Sequence, residues 1–134
     1  MYKRQVDIQE AVVTVLGLAY LENSDDTRNT PAATVISTLH SKGATVRLHD
    51  PYVREWEFTK HEIERDLYKA CEGSDCAVLV TKHKQYYDID LDQLKSVMRT
   101  PIIVDGRNVF DQKTVEEKGF EFRAIGKAGI RPLK

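Results

Sequence analysis

The sequence has 134 residues, of which 41% are hydrophobic and 31% charged, and its formal net charge is −1. These values are typical of one globular domain and argue against disorder. The even spread of lysine and arginine lacks the basic stripe of a nucleic-acid binder. No apolar run reaches the roughly 20 residues of a membrane helix, and no signal peptide is evident, so we expect a cytoplasmic protein that contacts neither nucleic acid nor membrane.

Apolar runs alternate with segments of helical period from the start of the chain. The run Ala11-Val-Val-Thr-Val-Leu16, which ends before Gly17, predicts a strand buried on both faces. Thr30 and Pro31 predict a helix start, with an N-cap residue followed by proline at the first helical position. Gly43 lies where the C-terminal cap of that helix is expected.

The alternation continues to the end of the chain. The apolar residues from Ile63 to Cys71 recur at helical spacing and predict a second helix, which Gly73 closes. Asp90 and Gln93 resemble a capping box at the start of a third helix. The remaining predicted strands are 45–49, 76–80, 102–104 and 120–125, and a short last helix covers 113–118.

Strands separated by helices of this length imply right-handed βαβ crossovers. We therefore expect an α/β fold, a Rossmann-like three-layer sandwich whose mostly parallel sheet of about five strands has helices on both faces. Ligands of such sheets bind outside the carboxyl ends of the strands. The loops predicted at that edge are 17–30, 50–58, 81–89 and 105–110.

The first of these loops lacks the pattern of a dinucleotide site. NAD binding favours G-x-G-x-x-G directly after the first strand, whereas the loop here reads Gly17-Leu-Ala-Tyr20. Asp50 ends the second predicted strand but lies too far along the chain for the ribose-binding acid, and we interpret it as a cap of the Asp50-Pro51 turn. A phospho-acceptor receiver domain is excluded as well, because it needs paired acids at the end of the first strand.

The cysteines and histidines predict no metal site. Cys71 and Cys76 fit neither a zinc knuckle nor a C-x-x-C redox motif. We interpret them as buried thiols in a reducing compartment. The 4 histidines lack the i, i+4 spacing of a helical metal pair.

Two loops at the predicted functional edge carry arginines suited to anions. Arg28 follows Asp25 and Asp26, and these acids either shape their loop through ion pairs and Asx turns or contribute to a site. A guanidinium at this position suits phosphate as well as carboxylate. Arg107, in Asp105-Gly-Arg-Asn108 directly after a buried strand, is favoured as a ligand contact over a surface salt bridge because of its position.

Several of these segments, taken in order, resemble one family. Val15-Leu-Gly-Leu-Ala-Tyr20 followed by Asp25-Asp-Thr-Arg-Asn-Thr-Pro-Ala32 resembles the signature that opens the C-terminal, UDP-binding domain of the UDP-glucose/GDP-mannose dehydrogenase family. His83 and the Arg107-Asn-Val-Phe110 ending resemble the UDP-N-acetylhexosamine branch, in which the UDP-N-acetylmannosamine dehydrogenases are best known. The other landmarks are Gly43-Ala, His49-Asp-Pro51, Gly73-Ser-Asp-Cys-Ala77, Thr81-Lys-His83 and Ile103-Val-Asp-Gly-Arg-Asn-Val109.

The resemblance implies a domain of a larger enzyme that uses NAD to oxidise the C6 alcohol of a UDP-hexose or UDP-N-acetylhexosamine to a carboxylate. In that family NAD and the catalytic cysteine belong to an N-terminal domain and a central segment, and the enzyme is a homodimer. Neither Cys71 nor Cys76 matches the family's cysteine motif. We expect this chain to be non-catalytic and to bind no cofactor itself, with 12–129 as the UDP-sugar-binding domain, 1–11 as a linker or the tail of an upstream helix, and 130–134 as a C-terminal tail.

The resemblance also assigns candidate binding residues. Arg107 is the expected contact with the nucleotide-sugar, and Tyr20 and Leu21 would line the same pocket. Leu21 departs from the family, which usually has lysine there, so Arg28, Lys82 or Lys84 would have to supply charge toward the pyrophosphate. A stand-alone, non-catalytic nucleotide-sugar-binding or assembly module is the alternative.

Overall fold

The computed structural model describes residues 8–19, 30–53, 62–126 and 129–131, and these contain one mixed sheet flanked by helices. Short 3-10 helices cover Ile8–Glu10 and Lys84–Asp88. The α-helices are α1 (Pro31–Ser41), α2 (Leu67–Ala70), α3 (Leu91–Val97) and α4 (Gln112–Glu117). The strands are β1 (Val12–Leu16), β2 (Thr45–His49), β3 (Ile63–Glu64), β4 (Cys76–Leu79), β5 (Ile102–Asp105), β6 (Glu121–Gly126) and β7 (Gly129–Arg131).

The sheet has the strand order β3-β2-β1-β4-β5-β6-β7. Strands β1 to β6 pair in parallel, and β7 runs antiparallel to β6. The central strand β1 pairs with β2 on one side, where Val13 faces Val46, and with β4 on the other, where it faces Cys76. The chain thus builds outward from β1 in one direction and then in the other, which creates a topological switch point between β1 and β4.

In the described ranges helices cover both faces of the sheet, with a main buried core under each face. On one face Ile36 of α1 packs with Val15 and Val46. On the other face Leu94 of α3 and Val115 of α4 pack in a second buried cluster that the sheet lines with Leu79, Ile103 and Phe122. These two cores confirm the expected three-layer, Rossmann-like sandwich.

Side-chain caps set where the helices begin. The Thr30 hydroxyl accepts a hydrogen bond from Ala32 N at 3.2 Å, and Pro31 occupies the first turn of α1. Asp90 Oδ1 accepts from Asp92 N and Gln93 N at the start of α3. Both predicted helix starts are confirmed. Gly43 follows the C-cap Lys42 of α1 with φ 89°, also as predicted.

Two strands differ from expectation. Ile63 was predicted to lie on the second helix, which is wrong: it lies in β3 and pairs with Leu48. The reason is that Asp66 caps the helix by accepting from Tyr68 N and Lys69 N, so the helix cannot begin before Leu67. Strand β7 is also an addition to the predicted strands, and with both additions the sheet has seven strands among the described residues rather than about five.

Candidate functional site

The carboxyl ends of β1 and β4 meet at the switch point and are joined there. Val80 N donates to Leu16 O at 2.9 Å, and the Thr81 hydroxyl donates to Ala19 O at 2.7 Å. Gly17 has φ 97°, and a Cβ on it would lie 2.5 Å from Thr81 Cβ. Thr81 therefore packs so closely against this turn that position 17 has no room for a side chain.

Asp50, at the end of β2, is the central buried acid of this edge. Its side chain is 0% exposed and accepts four hydrogen bonds. Oδ1 accepts from Tyr52 N at 2.7 Å and Val53 N at 2.9 Å, which confirms the predicted turn cap. Oδ2 accepts from Leu18 N at 2.7 Å and from His83 Nε2 at 2.9 Å, so the same carboxylate also joins the tips of β1 and β4.

The charge on Asp50 is maintained by these donors. Burial by itself raises the pKa of a carboxyl group, but the hydrogen bonds from His83 and from the amides of Leu18, Val53 and Tyr52 outweigh burial and hold the pKa of Asp50 below its ordinary value. Because a carboxylate can only accept, His83 must carry its proton on Nε2. Asp50 is thus an ionised, fully bonded acid beneath the edge.

Buried His49 is linked to the Asp50–His83 pair through Tyr86. His49 Nε2 donates to Arg65 O at 3.1 Å, and His49 Nδ1 lies 2.8 Å from the Tyr86 hydroxyl, which donates to it. Burial lowers the pKa of His49, consistent with a neutral ring. The ring of Tyr86 packs 5.7 Å from that of His83, centroid to centroid. The network is continuous from β2 to the loop after β4.

The tip of β5 presents Arg107 outward. Asp105 is buried at 0% exposure, and its carboxylate accepts from Arg107 N at 2.9 Å and from Phe110 N at 2.7 Å. Asn108 adopts φ 60°, and Gly106 N donates to Leu79 O at 3.0 Å. The loop is therefore folded around Asp105, while the side chain of Arg107 is exposed and makes no ion pair with any residue in the described ranges.

An apolar cavity of about 250 Å³ lies beside Arg107. It opens between the first turns of α1 and the ends of β4 and β5, next to the switch point. The residues that line it are Pro31, Val35, Val78, Leu79, Val80, Gly106 and Arg107. An arginine at the mouth of an apolar cavity can hold a ligand with one flat apolar part and one anionic part.

A larger cavity of about 510 Å³ lies at the β2–β3 side of the sheet, against α2. Its lining is about half polar, and the polar half mixes acids with bases, including Glu64 and Lys69. Two of its cations are already bound to main-chain oxygens, because Arg47 donates to Glu72 O and Arg65 donates to Pro51 O. By size alone this cavity would be the better candidate for the ligand site. The strand topology and the exposed guanidinium favour the cavity beside Arg107 instead.

The structure places three of the candidate binding residues at one edge. Arg107 follows β5, and Lys82, half-buried, and Lys84, exposed, flank His83 after β4. The other candidates lie outside the described residues: Tyr20, Leu21, Asp25, Asp26 and Arg28.

Sequence reasoning missed the contact between Asp50 and His83, and it missed the role of Asp105 in folding the loop after β5. It assigned Asp50 to a turn, used His83 only in the family resemblance, and gave Asp105 no role. A usable signal existed, since each residue lies at or just after the carboxyl end of a predicted parallel strand, where polar residues of different strands meet.

Cys71 is buried, as predicted, whereas Cys76 is half-buried. Burial raises the pKa of both the Cys71 and the Cys76 thiol to about 12. A thiol with such a pKa is protonated at neutral pH and is a poor nucleophile. Within the described ranges no three His, Cys, Asp or Glu side chains group as metal ligands, and no helix combines the length and apolarity needed to cross a bilayer.

Comparison with known proteins agrees with the family resemblance of the sequence. The family profile described as "UDP-glucose/GDP-mannose dehydrogenase family, UDP binding domain" matches residues 14–112. A UDP-glucose 6-dehydrogenase of Rhizobium meliloti is 36% identical over 90% of the chain, and a UDP-N-acetyl-D-mannosamine dehydrogenase of Pyrococcus horikoshii is 37% identical over 96%. The chain spans 28% of the length of each of these two relatives.

Solved structures show the same relationship. The NDP-N-acetyl-D-galactosaminuronic acid dehydrogenase of Methanosarcina mazei superposes with a TM-score of 0.83 at 32% identity, over 89% of this chain and 25% of that one. The UDP-D-ManNAc dehydrogenase of P. horikoshii superposes with a TM-score of 0.79 at 37% identity, over 91% and 27%. The chain belongs to the UDP-glucose/GDP-mannose dehydrogenase family and forms its UDP binding domain.

Proposed function

We propose that this domain binds the nucleotide half of a UDP-sugar at the carboxyl edge of its sheet, as the non-catalytic substrate-binding part of an NAD-dependent nucleotide-sugar 6-dehydrogenase. The observation that carries the proposal is Arg107, which is exposed at the tip of β5 beside an apolar cavity at the switch point. The names of the relatives support a UDP-sugar as the ligand.

The chemistry of the cavity suits the two parts of such a ligand. A guanidinium offers a planar pair of donors that matches the oxygens of a pyrophosphate. The apolar wall of Pro31, Val35 and Val78 suits a nucleobase or the apolar face of a ribose. The N-terminus of α1 begins at the same cavity and adds a favourable dipole for an anion.

The cavity holds only part of the substrate. Its volume of about 250 Å³ lies below the range of about 300–1,000 Å³ that is usual for complete ligand pockets. We therefore place the remainder of the cleft, the NAD site and the catalytic cysteine in other domains of the parent enzyme, itself a homodimer. The single glycine of Gly17-Leu-Ala-Tyr20, where NAD binding favours G-x-G-x-x-G, and the high pKa of Cys71 and Cys76 support that division.

Calorimetric titration of the chain tests the proposal. We expect weak but saturable binding of UDP and UDP-N-acetylhexosamines and none of NAD. Arg107→Ala removes a charge-assisted contact and should weaken UDP binding by roughly ten- to a hundredfold. Lys42→Ala, which removes an exposed cation at the other end of α1, is the matched control and should leave the affinity unchanged.

Two results would contradict the proposal. Saturable NAD binding with no response to UDP would assign the edge to the dinucleotide instead. Failure of millimolar UDP and UDP-sugars to bind would leave the chain as an assembly module.

A further inference from the structure

We propose that Asp50 is a positioning residue of the UDP-sugar site: its buried carboxylate holds the two segments that carry candidate ligand contacts, the one after β1 and the one after β4. The inference rests on the proposed function of this edge. It assigns to Asp50 a role beyond the turn that it caps, although Asp50 itself is buried and touches no ligand.

The hydrogen bonds of Asp50 divide into a local and a long-range set. The turn at Pro51 uses only Oδ1, through Tyr52 N and Val53 N. Oδ2 accepts from Leu18 N and His83 Nε2, which lie 32 and 33 residues away along the chain. A turn alone does not require the second set, so the position of Oδ2 serves the tips of β1 and β4.

Each long-range bond fixes a segment just before a candidate contact. Leu18 precedes the candidates Tyr20 and Leu21 in the sequence, and its amide is bonded to the Asp50 carboxylate at the tip of β1. His83 lies between Lys82 and Lys84. Its ring is 0% exposed and packs 4.9 Å from the Tyr52 ring, so the anchored ring sets how the chain passes through these two lysines.

The role depends on a carboxylate at this position. In Asp50→Asn one oxygen becomes an NH₂ donor. If that group replaces Oδ2, it faces the Leu18 N–H, donor against donor, while His83 can still bond to it by moving its own proton. If it replaced Oδ1 it would face two amides, Tyr52 N and Val53 N, that cannot reverse their polarity, so the NH₂ group takes the Oδ2 position, where only the Leu18 bond is lost. The substitution keeps the volume of the side chain and selectively breaks the attachment of Leu18.

Asp75 provides the matched control, because it is a comparably buried acid at the opposite edge. It is 2% exposed and accepts from Val12 N at 3.0 Å, Thr100 Oγ1 at 2.6 Å and Arg99. Asp75→Asn disturbs a network of similar size but none of the carboxyl-edge segments. Both substitutions should lower stability, and only Asp50→Asn should also lower the affinity for UDP.

The experiment measures three quantities on the full chain: the Kd for UDP by calorimetry, the Tm, and the hydrogen exchange of the Leu18 amide. We expect Asp50→Asn to raise the Kd by about tenfold, because about one hydrogen bond that positions the site is lost. The same substitution should abolish the protection of the Leu18 amide from hydrogen exchange. Asp75→Asn should lower the Tm and change neither the Kd nor Leu18 exchange. His83→Gln, which retains a donor, should bind UDP better than His83→Phe, which has none.

The outcomes separate this inference from the proposed function. If the wild-type chain fails to bind UDP, the proposed function and the positioning role of Asp50 are both wrong. If the wild-type chain binds and Arg107→Ala weakens binding but Asp50→Asn and His83→Phe bind normally, only the positioning role is wrong. Equal loss of affinity in Asp50→Asn and Asp75→Asn would also overturn it, since general destabilisation would then explain both. Should Asp50→Asn fail to fold, the two His83 variants decide the question, and equal affinities of His83→Gln and His83→Phe would overturn the positioning role.

Discussion

The two edges of the sheet each contain a buried aspartate that joins strand ends, but the donors differ. At the amino edge Asp75 receives one amide, one hydroxyl and the guanidinium of Arg99, whose side chain is 58% exposed. At the carboxyl edge Asp50 receives three amides and His83, and Asp105 receives two more amides. At the amino edge the Arg99 guanidinium pairs with the buried Asp75, whereas at the carboxyl edge the Arg107 guanidinium pairs with neither Asp50 nor Asp105.

This difference separates stability from binding. A cation that already pairs with a buried carboxylate gains little from a ligand anion, whereas a cation without such a partner can exchange water for phosphate. At the carboxyl edge backbone amides bond the acids instead, so Arg107 stays available without leaving Asp105 unsatisfied. Buried acids join strand ends at both edges, and at the carboxyl edge they also shape the loops that follow β2 and β5.

The largest expected effect is on the free energy of unfolding, and it distinguishes Gly17 at the carboxyl edge from Gly73 at the amino edge. In Gly17→Ala the new Cβ lies 2.5 Å from Thr81 Cβ at φ 97°, so we expect a loss of about 3 kcal/mol in the free energy of unfolding. Gly73, which precedes β4 at the amino edge, also has positive φ, 73°, but nothing lies within 4 Å of a Cβ there. Gly73→Ala should cost only about 1 kcal/mol. Urea denaturation measures both, and equal losses would show that the contact at the switch point is not tight.

A smaller effect concerns acid stability at the amino edge. Hydrogen bonds from Arg99 first, and then from Thr100 and the Val12 amide, lower the pKa of Asp75 from 3.8 to about 2, against burial. A lowered folded-state pKa means that this stabilisation is present above about pH 4 and is lost as the pH falls toward 2. Because the partner guanidinium is exposed and its charge is screened, we expect the ionised Asp75 carboxylate to contribute about 1–2 kcal/mol.

Denaturation of the wild type and Asp75→Asn between pH 2 and pH 6 tests that sign. The difference in unfolding free energy between them should be greatest near pH 6 and shrink below about pH 4. A difference that is independent of pH would show that the charge of Asp75 contributes nothing.

The sequence predicts features that depend on short-range interactions and misses those that depend on long-range ones. Helix starts at Thr30 and Asp90 depend on bonds to residues two or three positions away, and the sequence predicts both. The exposure of Arg107 was also predictable, because it follows directly after a buried strand. Strand β3 was not, since its two residues form a strand only by pairing with β2.

The Asp50–His83 pair marks the limit of sequence reasoning for the site. Each residue has an acceptable local interpretation, one as a turn cap and one in the loop after a strand. Their contact spans 33 residues and exists only because β2 and β4 flank β1 in the sheet. Strand order was not available from periodicity, so neither was the pair.

The most direct test of the account is a titration of the ¹⁵N-labelled chain with a UDP-N-acetylhexosamine, followed by backbone amide shifts. We predict saturable shifts at the carboxyl edge, at the amides of Leu18, Thr81 and Arg107, with little change at Val12, Asp75 and Arg99 on the amino edge. Shifts concentrated at the amino edge, or in the cavity between β2 and α2, would contradict it.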